Sequence, residues 1–363
     1  MVRRLSYFQI GIMKRNHWVI LLLPAFFILL LSLFFPSGLF SQTGKFGNAH
    51  VGLVYPVSTN GVHAAEYTNS FSLHLISGVS ENETAFALYG LTGIIKRNAG
   101  GVQIAGVSNH IQNRAQGVQV AGVLNQVKDR ASGIQIAGLT NLTGSFDGMQ
   151  IAGFANISKE SERGVQLSGF FNKAGDVDMQ VAGLINKARK VKGVQIAGFI
   201  NIADSSDYPI GLVNIIKNGE PTIGGSIDET LTTMTTFRSG GRVLYGILGL
   251  GYNFKESKSL YGLEAGMGVH LFASENFGLN LEGATLTLAD FKKGEYFRSS
   301  LRLFPALKIG DRIGLFGGPT FNFITYSNDK GKDLVNHYIW NETRRDHFHG
   351  MYFGVSGGVA VRL

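Results

Sequence analysis

The chain has 363 residues with no cysteine, 49 glycines, 16% charged residues and a formal net charge of +8. The lack of cysteine excludes a disulfide framework, thiolate metal sites, a cysteine nucleophile and a lipidated cysteine anchor. Against about 25% charged residues and about 7% glycine in ordinary soluble domains, this is an apolar, turn-rich chain, and the four basic residues of its first segment account for half of the charge. The remaining +4 is too thin for a nucleic-acid footprint.

Residues Trp18 to Phe35 form an apolar run preceded by Lys14 and Arg15 and followed by Pro36, Ser37 and Gly38. A basic start, an apolar centre and a small-residue exit read as a secretory signal peptide over 1–41, cut after Ser41 before Gln42. Met13 opens a more compact version and is an alternative start. The run is also nearly long enough for an uncleaved anchor.

A unit of about 16 residues then repeats: GVQIAGVSN from Gly101, GVQVAGVLN from Gly117, GIQIAGLTN from Gly133, and onward past Gly193, spanning about 68–217. Each unit is one structural element. Within it Gln103, Ala105 and Asn109 alternate with Val102, Ile104 and Gly106, the period of two that marks a strand. The same places are held by Gln119, Gly122 and Asn125, then by Gln135, Gly138 and Asn141.

Two layouts fit. In a β-solenoid each unit is one coil and the asparagines stack. In an antiparallel barrel each unit is one strand, and the near-palindrome about Gly106 sets Gln103 against Asn125 and Ala105 against Val123, pairs of the kind that hold sheets together. The second layout is the one expected, with the solenoid as its alternative.

From about 241 to 363 the chain reads as an antiparallel meander. Tyr261, Leu263, Ala265, Met267, Val269 and Leu271 alternate with small or ionisable residues, and Met351, Phe353, Val355, Val359, Val361 and Leu363 do the same at the end. These segments are long enough to cross a bilayer at a tilt, with rings such as Tyr252, Phe254 and Phe277 near their ends, as in membrane barrels. The last strand resembles the C-terminal strand of outer-membrane barrels, which implies recognition by the outer-membrane assembly machinery. The expected fold is therefore all-β: one domain over 42–363, a transmembrane antiparallel barrel of about 16 to 18 strands. The alternative is a solenoid of 16-residue repeats joined to a barrel of about 8 strands.

The repeats, with YPIGLVNIIKNGE and TTFRSGGRVLYGILGLGYN, also resemble an uncharacterised group of exported bacterial proteins carrying GVQIAG-type surface repeats. The resemblance covers most of residues 50 to 255. It implies export and brings no activity with it.

Four ionisable residues fall on the expected inner face: Glu264, Glu282, Arg298 and Arg302. Opposite signs on nearby strands suit a structural charge network, or a filter acting on ions. His337, Asp346, His347 and His349 lie in the longest loop and suit a metal poorly. No nucleophile, phosphate-loop or zinc-protease motif occurs, so neither an enzyme nor a cofactor is expected. The expected role is a structural barrel or weak passive channel in the outer membrane of a Gram-negative cell. Its partners would be membrane lipids and an unidentified solute or surface partner, with no nucleic acid; the alternative is a surface repeat protein for adhesion or partner binding.

Overall fold

The computed structural model describes residues 44–161, 163–255, 260–290 and 295–363. The expected leader over 1–41 and the start at Met13 lie outside the described residues. The described chain is all-β, with only two short 3-10 turns, Gly61–Glu66 and Lys332–Leu334. Its strands form two sheets, a stack from Lys45 to Ile216 and an antiparallel sheet from Thr222 to Arg362.

The repeats are coils of a solenoid, and they run parallel and in register. Gln103 lies beside Gln119, Asn109 beside Asn125, and Asn125 beside Asn141. This corrects the expectation that the repeat strands belong to a barrel of 16 to 18 strands. The reason lies in hydrogen bonding along the stack. Asn109 Nδ2 donates to Asn125 Oδ1, Asn125 to Asn141, and Asn141 to Asn156, each at 2.9 Å. Gln119 donates to Gln103 at 3.1 Å and Gln150 to Gln135 at 2.8 Å. These amides are fully buried, where an unpaired polar group is costly, and the stacked register keeps each of them paired with its own kind. The palindrome has another origin: two short strands of one coil flank a glycine turn.

The interior of a coil has two compartments. The amide rows and alanines such as Ala121 and Ala137 fill one side. Ile95, Ile111, Val127, Phe146, Val177 and Val191 pack on the other. The glycine turn requires glycine for a spatial reason: a Cβ on Gly122 would collide with the carbonyl oxygen of Gly106, and one on Gly138 with that of Gly122. A second row, Gly117 and Gly133, adopts φ of 118° and 116°, a region closed to ordinary side chains.

The antiparallel sheet has strands β1 (Thr222–Asp228), β2 (Thr232–Gly240), β3 (Leu244–Asn253), β4 (Leu260–Ala273), β5 (Phe277–Ala289), β6 (Tyr296–Ile309), β7 (Ile313–Ser327), β8 (Trp340–Arg344) and β9 (His347–Arg362). Pairing of β1 with β9, Gly224 beside Ala360 and Ser226 beside Gly358, closes it into a barrel of eight strands, with β8 a short addition to the start of β9. The expected meander from 241 thus gains β1 and β2. Apolar residues such as Leu263, Leu301, Phe353 and Val355 are exposed on the outer wall, and small or charged residues point inward, as period two demands.

Solenoid and barrel meet at β2 and β3. Arg238 and Tyr245 reach Glu282 inside the barrel, so their neighbours Ser239 and Gly246 point outward. There the last coil is seated: Asn214 donates to Ser239, and Gly246 approaches the carbonyl of Gly211 as the next turn glycine of the column would. Arg242 closes the joint with two hydrogen bonds to Asp207, at 2.9 and 2.8 Å.

Candidate functional site

The barrel interior gathers most of the ionisable residues expected there. Arg302 lies opposite Glu282 in the β5–β6 register. Its guanidinium spans to Glu264 on β4, with Nη1 donating to Oε1 at 3.0 Å and Nη2 to Oε2, while Glu282 Oε2 is 3.9 Å away. Glu282 takes its main bonds from Arg238, at 2.7 and 3.3 Å, and from the Tyr245 hydroxyl at 2.9 Å. Two carboxylates and two guanidiniums therefore form one bonded layer across the lumen.

Arg298 stands apart from that layer. Its Nη2 donates to Asp228 at 2.5 Å, and Nη1 lies 3.5 Å from Tyr352 and Thr230. Sequence reading found four of these charges and missed Arg238, Asp228 and Tyr245. Arg238 belongs to TTMTTFRSG, where Met234, Thr236 and Arg238 alternate inward; that period was the available signal.

The network leaves little passage. Beside Glu264, Arg298 and Arg302 the free cavity is about 10 Å³, room for about one water. Toward the short turns the lumen widens into a cavity of about 360 Å³ walled by Tyr245, Phe272, Phe304 and Phe316, with Lys308, Arg312 and Arg362 at its mouth. Lys308 and Arg362 share Glu220, at 3.3 and 3.4 Å, and the Arg238 guanidinium covers the Phe316 ring at 4.7 Å, a cation–π arrangement. The barrel thus holds a bonded plug under an aromatic, basic pocket. Chemically, this arrangement offers binding surface for a small anion with an apolar body.

The loop residues considered for a metal do not gather. His349 Nδ1 lies 3.0 Å from the Thr325 hydroxyl and its ring stacks on Phe323, while His337, Asp346 and His347 are exposed. Among the described residues no group of three or more His, Asp or Glu could hold a metal.

A second polar cluster closes the far end of the solenoid and was not foreseen. The position of Gln103 is taken in earlier coils by Ala87, Ser72 and His50. Ala105 gives way to Tyr89 and His74, whose rings fill the space above Gly93 and Gly78, the places corresponding to Asn109. Large and small residues have exchanged positions, so the stack keeps its width.

Within that cluster His50 Nε2 lies 2.9 Å from the Ser58 hydroxyl, and His74 Nε2 3.3 Å from His50 Nδ1. Ser72 donates to Glu83 at 2.7 Å and Asn69 at 3.3 Å. Burial pushes the Glu83 carboxyl up to about 7, against the pull of these hydrogen bonds. Burial, then the neighbouring His74, brings His50 down to about 4.

No family model matches the chain, and neither curated proteins nor solved structures give a match to it.

Proposed function

We propose that this protein is an integral outer-membrane barrel without enzymatic activity, whose closed eight-stranded barrel anchors the repeat solenoid as an arm for partner binding. The observation that carries the reading is the inversion of the barrel: its wall is apolar outside and ionic inside, the reverse of a water-soluble barrel and the pattern of membrane barrels. Strands β3 to β7 and β9 hold 10 to 16 residues, enough to cross at a tilt. Among the described residues no helix is long and apolar enough to cross a membrane, a fact silent on strands. The leader and the resemblance to exported repeat proteins support export, with membrane lipids and the outer-membrane assembly machinery as partners.

A sealed lumen favours an anchor over a channel. Eight-stranded barrels are commonly filled by side chains, and Arg302, Glu264, Glu282 and Arg238 fill this one. The test is fractionation with the outer membrane, a mature start near Gln42, and faster gel migration of the unboiled protein in detergent. A periplasmic, soluble protein overturns the reading. Planar bilayers should show small currents at most, and steady porin-like conductance would remove the sealed lumen.

The pocket of about 360 Å³ favours a second reading, a site for a small amphiphilic anion. Such a solute should bind the wild type and bind less well to Arg312→Ala.

A further inference from the structure

The solenoid carries its apolar residues on the outside along one edge. Beside each turn glycine stands a large apolar residue, among them Leu91, Val107, Leu139, Phe154, Phe170 and Phe199, between 38% and 53% exposed. Phe154 and Phe170 stack at 4.9 Å between ring centroids. From Ile76 to Leu212 the column extends about 40 Å at about 4.8 Å per coil. With the flanking Ile134, Ile136 and Met149 also exposed, the strip reaches several hundred Å², about the largest patch that a soluble monomer leaves to water.

The opposite edge is ionic. Arg114 pairs with Asp129, Arg130 with Asp147, and Arg189 with Asp176, all across adjacent coils. The solenoid is therefore an amphipathic rod with an apolar edge and a charged edge.

The joint with the barrel fixes which way each edge faces. The charged edge of the last coil, at Asp207, meets Arg242 in the short turn that ends β2. The apolar edge, at Gly211, meets Gly246, four residues further along β3 toward the middle of the barrel. At about 3.3 Å per residue and a tilted strand, that places it about 10 Å nearer the apolar belt. Leu250, the next outward residue but one on β3, is 66% exposed and already part of the belt. Because Ser239 and Gly246 point out of the wall, the coils stack away from the barrel sideways and not along its axis.

We infer that the apolar edge of the solenoid lies in a phospholipid leaflet, so that the repeat arm rests along the membrane surface with its charged edge in water. The inference rests on the reading that the barrel spans a bilayer, and deepens it. The leaflet is the one at the short-turn end, since 241–243, 274–276 and 310–312 join strands there while the long 328–346 connection, which carries β8, lies opposite. In bacterial barrels short turns are periplasmic, where the leaflet is phospholipid. A bilayer is favoured over a second copy by the continuity of the edge with the belt.

The chain has no cysteine, which makes single labels direct to place. Leu139→Cys and Phe170→Cys report the apolar edge, Arg130→Cys the charged edge, and Leu263→Cys the barrel belt. Each full-length variant is labelled with a small environment-sensitive dye and reconstituted in phosphatidylcholine vesicles with brominated acyl chains. Expected is quenching at 139 and 170 comparable with that at 263, and none at 130. Quenching at 263 with labels at 139 and 170 as wet as that at 130 would overturn the inference alone. Labels at 139 and 170 that are blue-shifted but unquenched would overturn it in favour of a protein cover. An unquenched label at 263 would remove the spanning reading and the inference with it.

Discussion

Asn214 donates its main-chain N–H to the Ser239 hydroxyl at 3.0 Å and its side-chain amide to the Ser239 carbonyl at 3.2 Å. The asparagine ladder that begins at Asn109 therefore does not stop at the last coil. Its final rung is supplied by the outer wall of the barrel.

A break inside the ladder should be expensive. Asn156 Nδ2 donates to Asn172 Oδ1 at 3.0 Å and to the Leu167 carbonyl at 2.7 Å, and its own oxygen accepts from Asn141. Asn156→Ala strands partners that are closed off from water, at about 1–3 kcal/mol per unsatisfied group. A loss of about 2–5 kcal/mol is expected in urea unfolding followed by circular dichroism. Gln112→Ala, at an exposed position, should be close to neutral.

The turn glycines give a steric counterpart. Gly138→Ala drives a methyl into the Gly122 carbonyl, a backbone atom fixed on both sides by the stack. Gly283→Ala in the barrel meets nothing within 4 Å. The first should abolish or severely reduce the folded yield, and the second should leave it unchanged, read as the heat-modifiable fraction on gels.

Removing one charge from the lumen leaves its partner buried. Arg302→Met strips Glu264 of the two hydrogen bonds that pair it with that guanidinium, and breaking a buried pair from one side typically costs about 3–5 kcal/mol. Combining it with Glu264→Gln should recover most of the loss. The checkable quantity is the temperature at which the fast-migrating band disappears for each variant.

The cap cluster makes stability depend on pH in a calculable direction. Glu83 titrates near 7 when folded against 4.5 for its ordinary value. Its stabilising share is complete below about 4.5 and is lost as pH rises through 7. Glu83→Gln removes that dependence, so relative to the wild type it should gain up to about 3 kcal/mol between pH 4.5 and 8. His50 acts in the opposite sense, its share full above 6.5 and lost as pH falls through about 4. Because both proteins carry His50, the difference between them isolates Glu83. Paired urea titrations at the two pH values measure it.

The period of the repeats was legible because glutamine, glycine and asparagine return at fixed spacing, but their direction was not. A reversed neighbour and a stacked neighbour both set amide against amide. What separates them is the Gly106 carbonyl lying where a Cβ of residue 122 would be, a backbone contact that no side-chain pattern encodes. In the barrel, β4 and β9 were legible from their apolar outer residues. Strand β2 was missed because Thr233, Thr235 and Ser239 make its outer face polar, and β1 was too short to show a pattern. The lumen charges were placed on the correct face by alternation alone. That Arg298 would meet Asp228, and Glu282 would meet Arg238, depends on closure of the barrel, which brings β1 beside β9 and sets β2 across the lumen from β5.

The two ends of the solenoid are built differently from its middle, and that separates its length from its integrity. One end is closed by His50, His74 and Glu83, the other by Ser239 and Gly246. Between them each coil touches only its neighbours, so stability adds up coil by coil. Excising or duplicating one whole unit, such as residues 117–132, would leave both terminal seals chemically intact and would change the reach of the arm by about 4.8 Å. Reach is thus a tunable dimension of this molecule, adjustable in whole-unit steps by tandem duplication without redesign of the anchor.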